Sequence, residues 1–137
     1  MAVLFFIQLF YIAVIDFFQH RIPNISLILL ILFRFFYAPL KREDLLSSSS
    51  LFLLFLFFYF LSHGGIGMGD VKLISVLGLF LGFSKTMFLV LLATLFLFLI
   101  GIFLKLLGQK MIELPFAPAF ISIYFVIYWM YVFKEGR

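Results

Sequence analysis

The chain has 137 residues, 66% hydrophobic and 12% charged, with a net charge of +4 and no cysteine. A soluble domain carries roughly half apolar and a quarter charged residues, so this composition excludes an ordinary soluble fold and leaves no room for a separate soluble domain. The positive charges form no run suited to nucleic acid and fit a membrane surface, while the lack of cysteine excludes disulfides, thiolate metal sites and thiol catalysis.

The apolar runs predict an all-α polytopic bundle of about six transmembrane helices, in a single membrane domain over residues 1–137. The first span runs from Ala2 to Phe18. No basic side chain precedes it and no small-residue cleavage pattern follows, so it reads as a retained span. Asp16 stands in its last turns. Pro23 breaks the helix, and Asn24 or Ser26 is placed to cap the next one. The second span covers Ile25 to Ala38, with Arg34 reaching for the nearer surface. Pro39 to Asp44 reads as a polar loop of mixed charge. Ser47 to Ser50 lead into a third span ending near Leu61. These serines suit back-bonding to helix carbonyls better than nucleophilic chemistry, which needs an adjacent base.

Between the third and fourth spans lies Gly64-Gly65-Ile66-Gly67-Met68-Gly69-Asp70-Val71-Lys72. Glycine permits close backbone approach, and a carboxylate opening an apolar run is a functional-site candidate. The fourth span runs from Val71 to Phe83. Gly78 and Gly82 inside it suit close helix packing, and Lys85 marks a tight turn. The fifth span ends near Leu107, and Gly108 to Lys110 connect onward past Glu113. The sixth span opens around Pro115-Phe116-Ala117-Pro118 and ends near Phe133.

Asp16 follows one crossing and Asp70 follows three, so six spans place both at the same membrane face. Two carboxylates about 3 Å apart do not both ionise easily. One then serves as general base towards water, and the protonated partner polarises a peptide carbonyl. No metal or cofactor is needed. Alternative readings weigh against this one. Asp70 could serve only as an acid at a helix N-terminus, and Asp16 could pair with Arg21. His20 and His63 share the face and, with both aspartates, admit a metal site, although no His-Glu-any-any-His helix is present. Lys72 points away from Asp70 on a regular helix, towards a surface or an acidic substrate group.

Gly67-Met68-Gly69-Asp70-Val71-Lys72-Leu73 resembles the glycine-any-glycine-aspartate motif of membrane aspartic proteases, the type IV prepilin peptidase family above all. Asp16 followed by Arg21-Ile22-Pro23-Asn24 resembles the first catalytic aspartate of that family and its Ile-Pro-Asn element. Leu114 to Phe120 resembles the opening of its last helix. The resemblance implies an aspartic endopeptidase with Asp16 and Asp70 catalytic and Gly67, Gly69, Lys72, Pro23 and Asn24 as motif residues near the site. It implies substrates that are prepilin-like precursors, with a basic leader ahead of an apolar helix. It also implies residence in the inner or plasma membrane with the site facing the cytoplasm. Charge does not set that orientation: Arg21, Lys72, Lys105 and Lys110 on one side nearly balance Lys41, Arg42, Lys85, Lys134 and Arg137 on the other. Many relatives carry an N-terminal region with paired cysteines associated with N-methylation, so peptidase activity alone is expected here, as in short forms serving archaeal flagella and some pilus systems. A presenilin-like intramembrane protease, or a transporter or assembly subunit using the acids as ion sites, are the competing functions.

Overall fold

A computed structural model describes residues 2–37, 39–63, 66–108 and 116–135. Gly64 and Gly65 of the glycine run, Ala38 of the second span, and Lys110, Glu113, Leu114 and Pro115 before the last span lie outside the described residues. Among the described residues six helices follow one another: α1 (Ala2–Gln19), α2 (Asn24–Tyr37), α3 (Arg42–Leu61), α4 (Met68–Leu81), α5 (Phe83–Leu106) and α6 (Phe116–Glu135). No strand occurs among the described residues.

The helix interiors are Leu, Ile and Phe, with long apolar side chains that also cover the outside. Leu53, Phe57 and Phe60 on α3, and Leu91, Leu95 and Phe98 on α5, are exposed. Among the described residues, only α3 and α5 are both long and apolar enough on their own to cross a bilayer. At about 1.5 Å per residue, the 24 residues of α5 exceed the roughly 30 Å hydrocarbon layer.

α4 is the hub. It packs against α2, α3 and α5, while α1 packs against α2 and α6. Leu73, Ile74 and Leu77 of α4 join Leu9 and Ile12 of α1, Leu30 of α2, Leu51 of α3 and Phe120 of α6 in one core. The α3–α4 contact is close because Gly78 has no side chain: a Cβ there would lie 2.6 Å from Leu51 Cδ1 and 3.2 Å from Ser48 Cα. Ser48 and Ser75 lock the same crossing, their hydroxyls 3.0 Å apart. Helices in lipid lack a hydrophobic drive to associate, so close packing and such polar ties carry the contact.

Three local expectations change. α3 begins at Arg42, inside the stretch that reads as loop. Asp44 sits at its third position, and its carboxylate accepts from the Lys41 backbone N–H at 3.1 Å, so the charged residues are a helix start. The turn between α4 and α5 is made by Gly82 alone, at φ 78, a conformation that favours glycine; Lys85 lies in the first turn of α5. Arg34 does not reach for the surface. Its Nε donates to the Leu79 carbonyl at 3.0 Å and its Nη2 to Asp44 Oδ2 at 2.7 Å. The guanidinium ties α2 to the end of α4 and the start of α3. Two of the serines do back-bond, Ser47 to the Glu43 carbonyl and Ser50 to that of Leu46.

Candidate active site

Up-and-down connectivity brings the end of α1 and the starts of α2, α4 and α6 to one end of the bundle. There a pocket of about 310 Å³ is lined by Asp16, His20, Arg21, Asn24, Asp70 and Lys72, with Gly67 and Gly69 in its wall.

Asp16 is 5% exposed, and burying a carboxylate is costly unless donors meet it. The donor is remote in sequence: the Ala117 backbone N–H reaches Asp16 Oδ2 at 3.1 Å. Ala117 lies in the first turn of α6, where backbone N–H groups have no intrahelical acceptor and the helix dipole favours an anion. Asp16 therefore caps a helix 101 residues further on. It makes no ion pair with Arg21 among the described residues. His20 follows in a left-handed conformation, φ 50, its N–H on the Asp16 carbonyl at 2.8 Å. A left-handed residue is a common way to end a helix, and here it sets the imidazole at the pocket wall.

Asp70 is the third residue of α4, after the N-cap Gly67. Its carboxylate folds back beside Gly67. The two motif glycines have separate reasons. A Cβ on Gly67 would sit 3.1 Å from Asp70 Oδ2, and one on Gly69 would sit 3.1 Å from Ile22 Cβ. The first leaves room for the carboxylate, and the second lets the α1–α2 connection cross the start of α4. The two aspartates, from α1 and α4, border the same pocket.

The neighbouring polar groups are tied across helices. Lys72 Nζ donates to Asn24 Oδ1 at 3.0 Å, which joins α4 to α2 at the rim of the pocket. Lys72 thus borders the pocket, and the Asn24 side chain serves this bridge where the sequence suggests a cap. Pro23 leads into α2 with its carbonyl accepting from the Ser26 N–H at 3.1 Å. His63 is not among the described residues that line the pocket; its Nδ1 lies 3.2 Å from the Leu61 carbonyl.

The arrangement places two carboxylates on one pocket of about 310 Å³, flanked by cations. The sequence pattern of the type IV leader peptidase family matches residues 3–102. The chain belongs to that family. As a type IV leader peptidase family member it is a membrane protein and a protease of the aspartic type. The matched stretch holds Asp16, Pro23, Asn24, Gly67, Gly69, Asp70 and Lys72, whereas Ala117 lies beyond it. Among curated proteins and among solved structures, none matches the chain. Sequence reasoning missed the Ala117 N–H as the partner of Asp16. The available signal was the proline-flanked opening Pro115-Phe116-Ala117-Pro118, which marks a helix start whose free N–H groups need an acceptor.

Proposed function

We propose that this chain is a six-span membrane endopeptidase that removes the leader from prepilin-like precursors, with Asp16 and Asp70 as the catalytic pair and the site facing the cytoplasm. The observation that carries the reading is a single pocket bordered by both aspartates, which lie 54 positions apart in sequence (70 − 16).

The reaction needs no other group. The ionised carboxylate takes a proton from water as the water oxygen attacks the scissile carbonyl carbon. The protonated carboxylate gives its proton to the carbonyl oxygen, and a tetrahedral diol forms. The C–N bond then breaks, the diol returns a proton to one carboxylate, and the other delivers a proton to the leaving amine. Because the pair shares one proton, roles belong to the pair and not to either residue. The Ala117 N–H holds the Asp16 carboxylate in place, and Gly67 leaves room for that of Asp70.

The test is co-expression of a prepilin-like reporter with wild type, Asp16→Asn and Asp70→Asn, at matched levels in the membrane. Only wild type is expected to shorten the precursor, with each Asn variant slower by about a thousandfold. Asn variants that cut as well as wild type would show that the carboxylates only cap helices.

A further inference from the structure

A second groove begins where the carboxylate pocket ends. Asn24 and Lys72 line both spaces. From that shared rim the groove, about 440 Å³, continues along Leu27, Ile28 and Ile31 of α2, with Phe52 of α3 and Val76 of α4 opposite. Positions 24, 27, 28 and 31 form one stripe of a helix, so the groove follows α2 for about 10 Å at 1.5 Å per residue. Polarity changes sharply along this path. The pocket end has two carboxylates, an imidazole and two cations, and beyond Lys72 and Asn24 only Ser75 breaks an apolar lining. Ile28 is 54% exposed on the groove's edge, so the groove opens sideways, where a helix can enter from the bilayer.

We infer that this groove seats the apolar segment of the substrate directly beyond the scissile bond, an inference that rests on the leader-peptidase reading above. A substrate that is polar before the cut and apolar after it matches the order of the two spaces. Its peptide chain would cross at the Lys72–Asn24 bridge, where the ammonium and the amide face backbone carbonyls and N–H groups. About two helical turns fit along the groove. The stripe then sets the distance from the apolar segment to the carboxylates and acts as a ruler for the cut. A comparable apolar groove of about 390 Å³ between α5 and α6, lined by Leu95 and Ile123, shares no residue with the carboxylate pocket. It supplies an internal control for occupation by lipid chains.

The experiment uses the full chain in lipid nanodiscs and two synthetic substrates. One carries the leader and its apolar helix; the other stops a few polar residues past the cleaved bond. Ile28→Trp fills the groove from an exposed position, and Leu95→Trp does the same in the α5–α6 groove. Ile28→Trp is expected to lower kcat/KM for the long substrate about tenfold, the scale of hydrophobic-pocket discrimination, through KM. The short substrate is expected to be cut as by wild type, and Leu95→Trp to change neither. An unchanged long-substrate rate in Ile28→Trp overturns the inference, as does an equal loss on both substrates or an equal loss in Leu95→Trp. Wild type that cuts neither substrate sinks the leader-peptidase reading itself, a pattern distinct from cutting without a groove effect. As a second measurement, the cysteine-free chain accepts Ile28→Cys or Leu95→Cys in the Asp16→Asn background. A cysteine walked along the substrate's apolar segment is expected to cross-link to position 28 every three to four residues. Cross-links to position 95 instead, or none at 28, overturn the assignment.

Discussion

Gly78→Ala tests whether the close approach of α3 and α4 is needed to hold the bundle. The added methyl would lie 2.6 Å from Leu51 Cδ1, 3.2 Å from Ser48 Cα and 3.3 Å from Ser48 N. Leu51 is fully buried, so its side chain turns away only by pressing on its neighbours. The Ser48 backbone moves only with α3 as a body. Inserting a methyl into such packing costs about 1–3 kcal/mol. Alanine is the better helix former by about 1 kcal/mol, which offsets part of that. The net expectation is a loss of about 1 kcal/mol from these two effects. Leu51→Ala alone leaves a cavity and costs about 2–5 kcal/mol. In the double variant the new methyl enters that cavity, so the combined cost falls about 1 kcal/mol short of the sum, as for residues in contact. The assay is reversible unfolding of all four proteins in mixed micelles of rising SDS fraction. A Gly78→Ala protein as stable as wild type, or strictly additive variants, would refute the reasoning.

Gly67→Ala places a methyl 3.1 Å from Asp70 Oδ2; it is expected to displace the carboxylate and lower kcat about tenfold, with the unfolding midpoint little changed. An unaltered kcat would show that Gly67 does not position Asp70. Arg34→Met leaves Asp44 without its cation and the Leu79 carbonyl without this donor. The expected loss is about 2–3 kcal/mol in the same unfolding assay, below the range for fully buried pairs because the two side chains are 13% and 21% exposed. Arg34→Lys keeps the charge but not the fork and is expected to recover only part; full stability in Arg34→Met would mean the cluster is ornamental to folding. The pH profile of kcat/KM is expected to be a bell. Below the lower apparent pKa of the pair no base remains, and above the upper one no acid remains. A profile with a single arm, measured on one substrate across the stable pH range, would rule out a shared proton.

Element number and order were legible because long Phe-Leu-Ile runs separated by Pro, Gly and charge leave little choice but helices. Element ends were less so. Arg42, Glu43 and Asp44 read as loop by composition, yet Asp44 reaches back to the Lys41 N–H and Arg34 neutralises it from another helix. Gly82 and Lys85 are each plausible turn residues, and only the backbone shows that φ 78 falls on Gly82. At the pocket, aspartates and glycines stand out in the sequence because polar and small residues are rare among its apolar runs. Their partners do not. Lys72 with Asn24, Arg34 with Leu79 and Asp16 with Ala117 are separated by 48, 45 and 101 residues, and an amide donor has no side-chain signature at all.

That last separation bears on how the protein is made. Both aspartates have been synthesised by residue 70, and the family pattern is complete by residue 102. The Asp16 carboxylate still waits for an amide that arrives with residue 117. During synthesis the Asp16 carboxylate thus lacks this backbone donor until α6 is made, and docking of α6 finishes the carboxylate's surroundings. Completion of the site is timed by α6, although the residues that line the pocket all lie between positions 16 and 72.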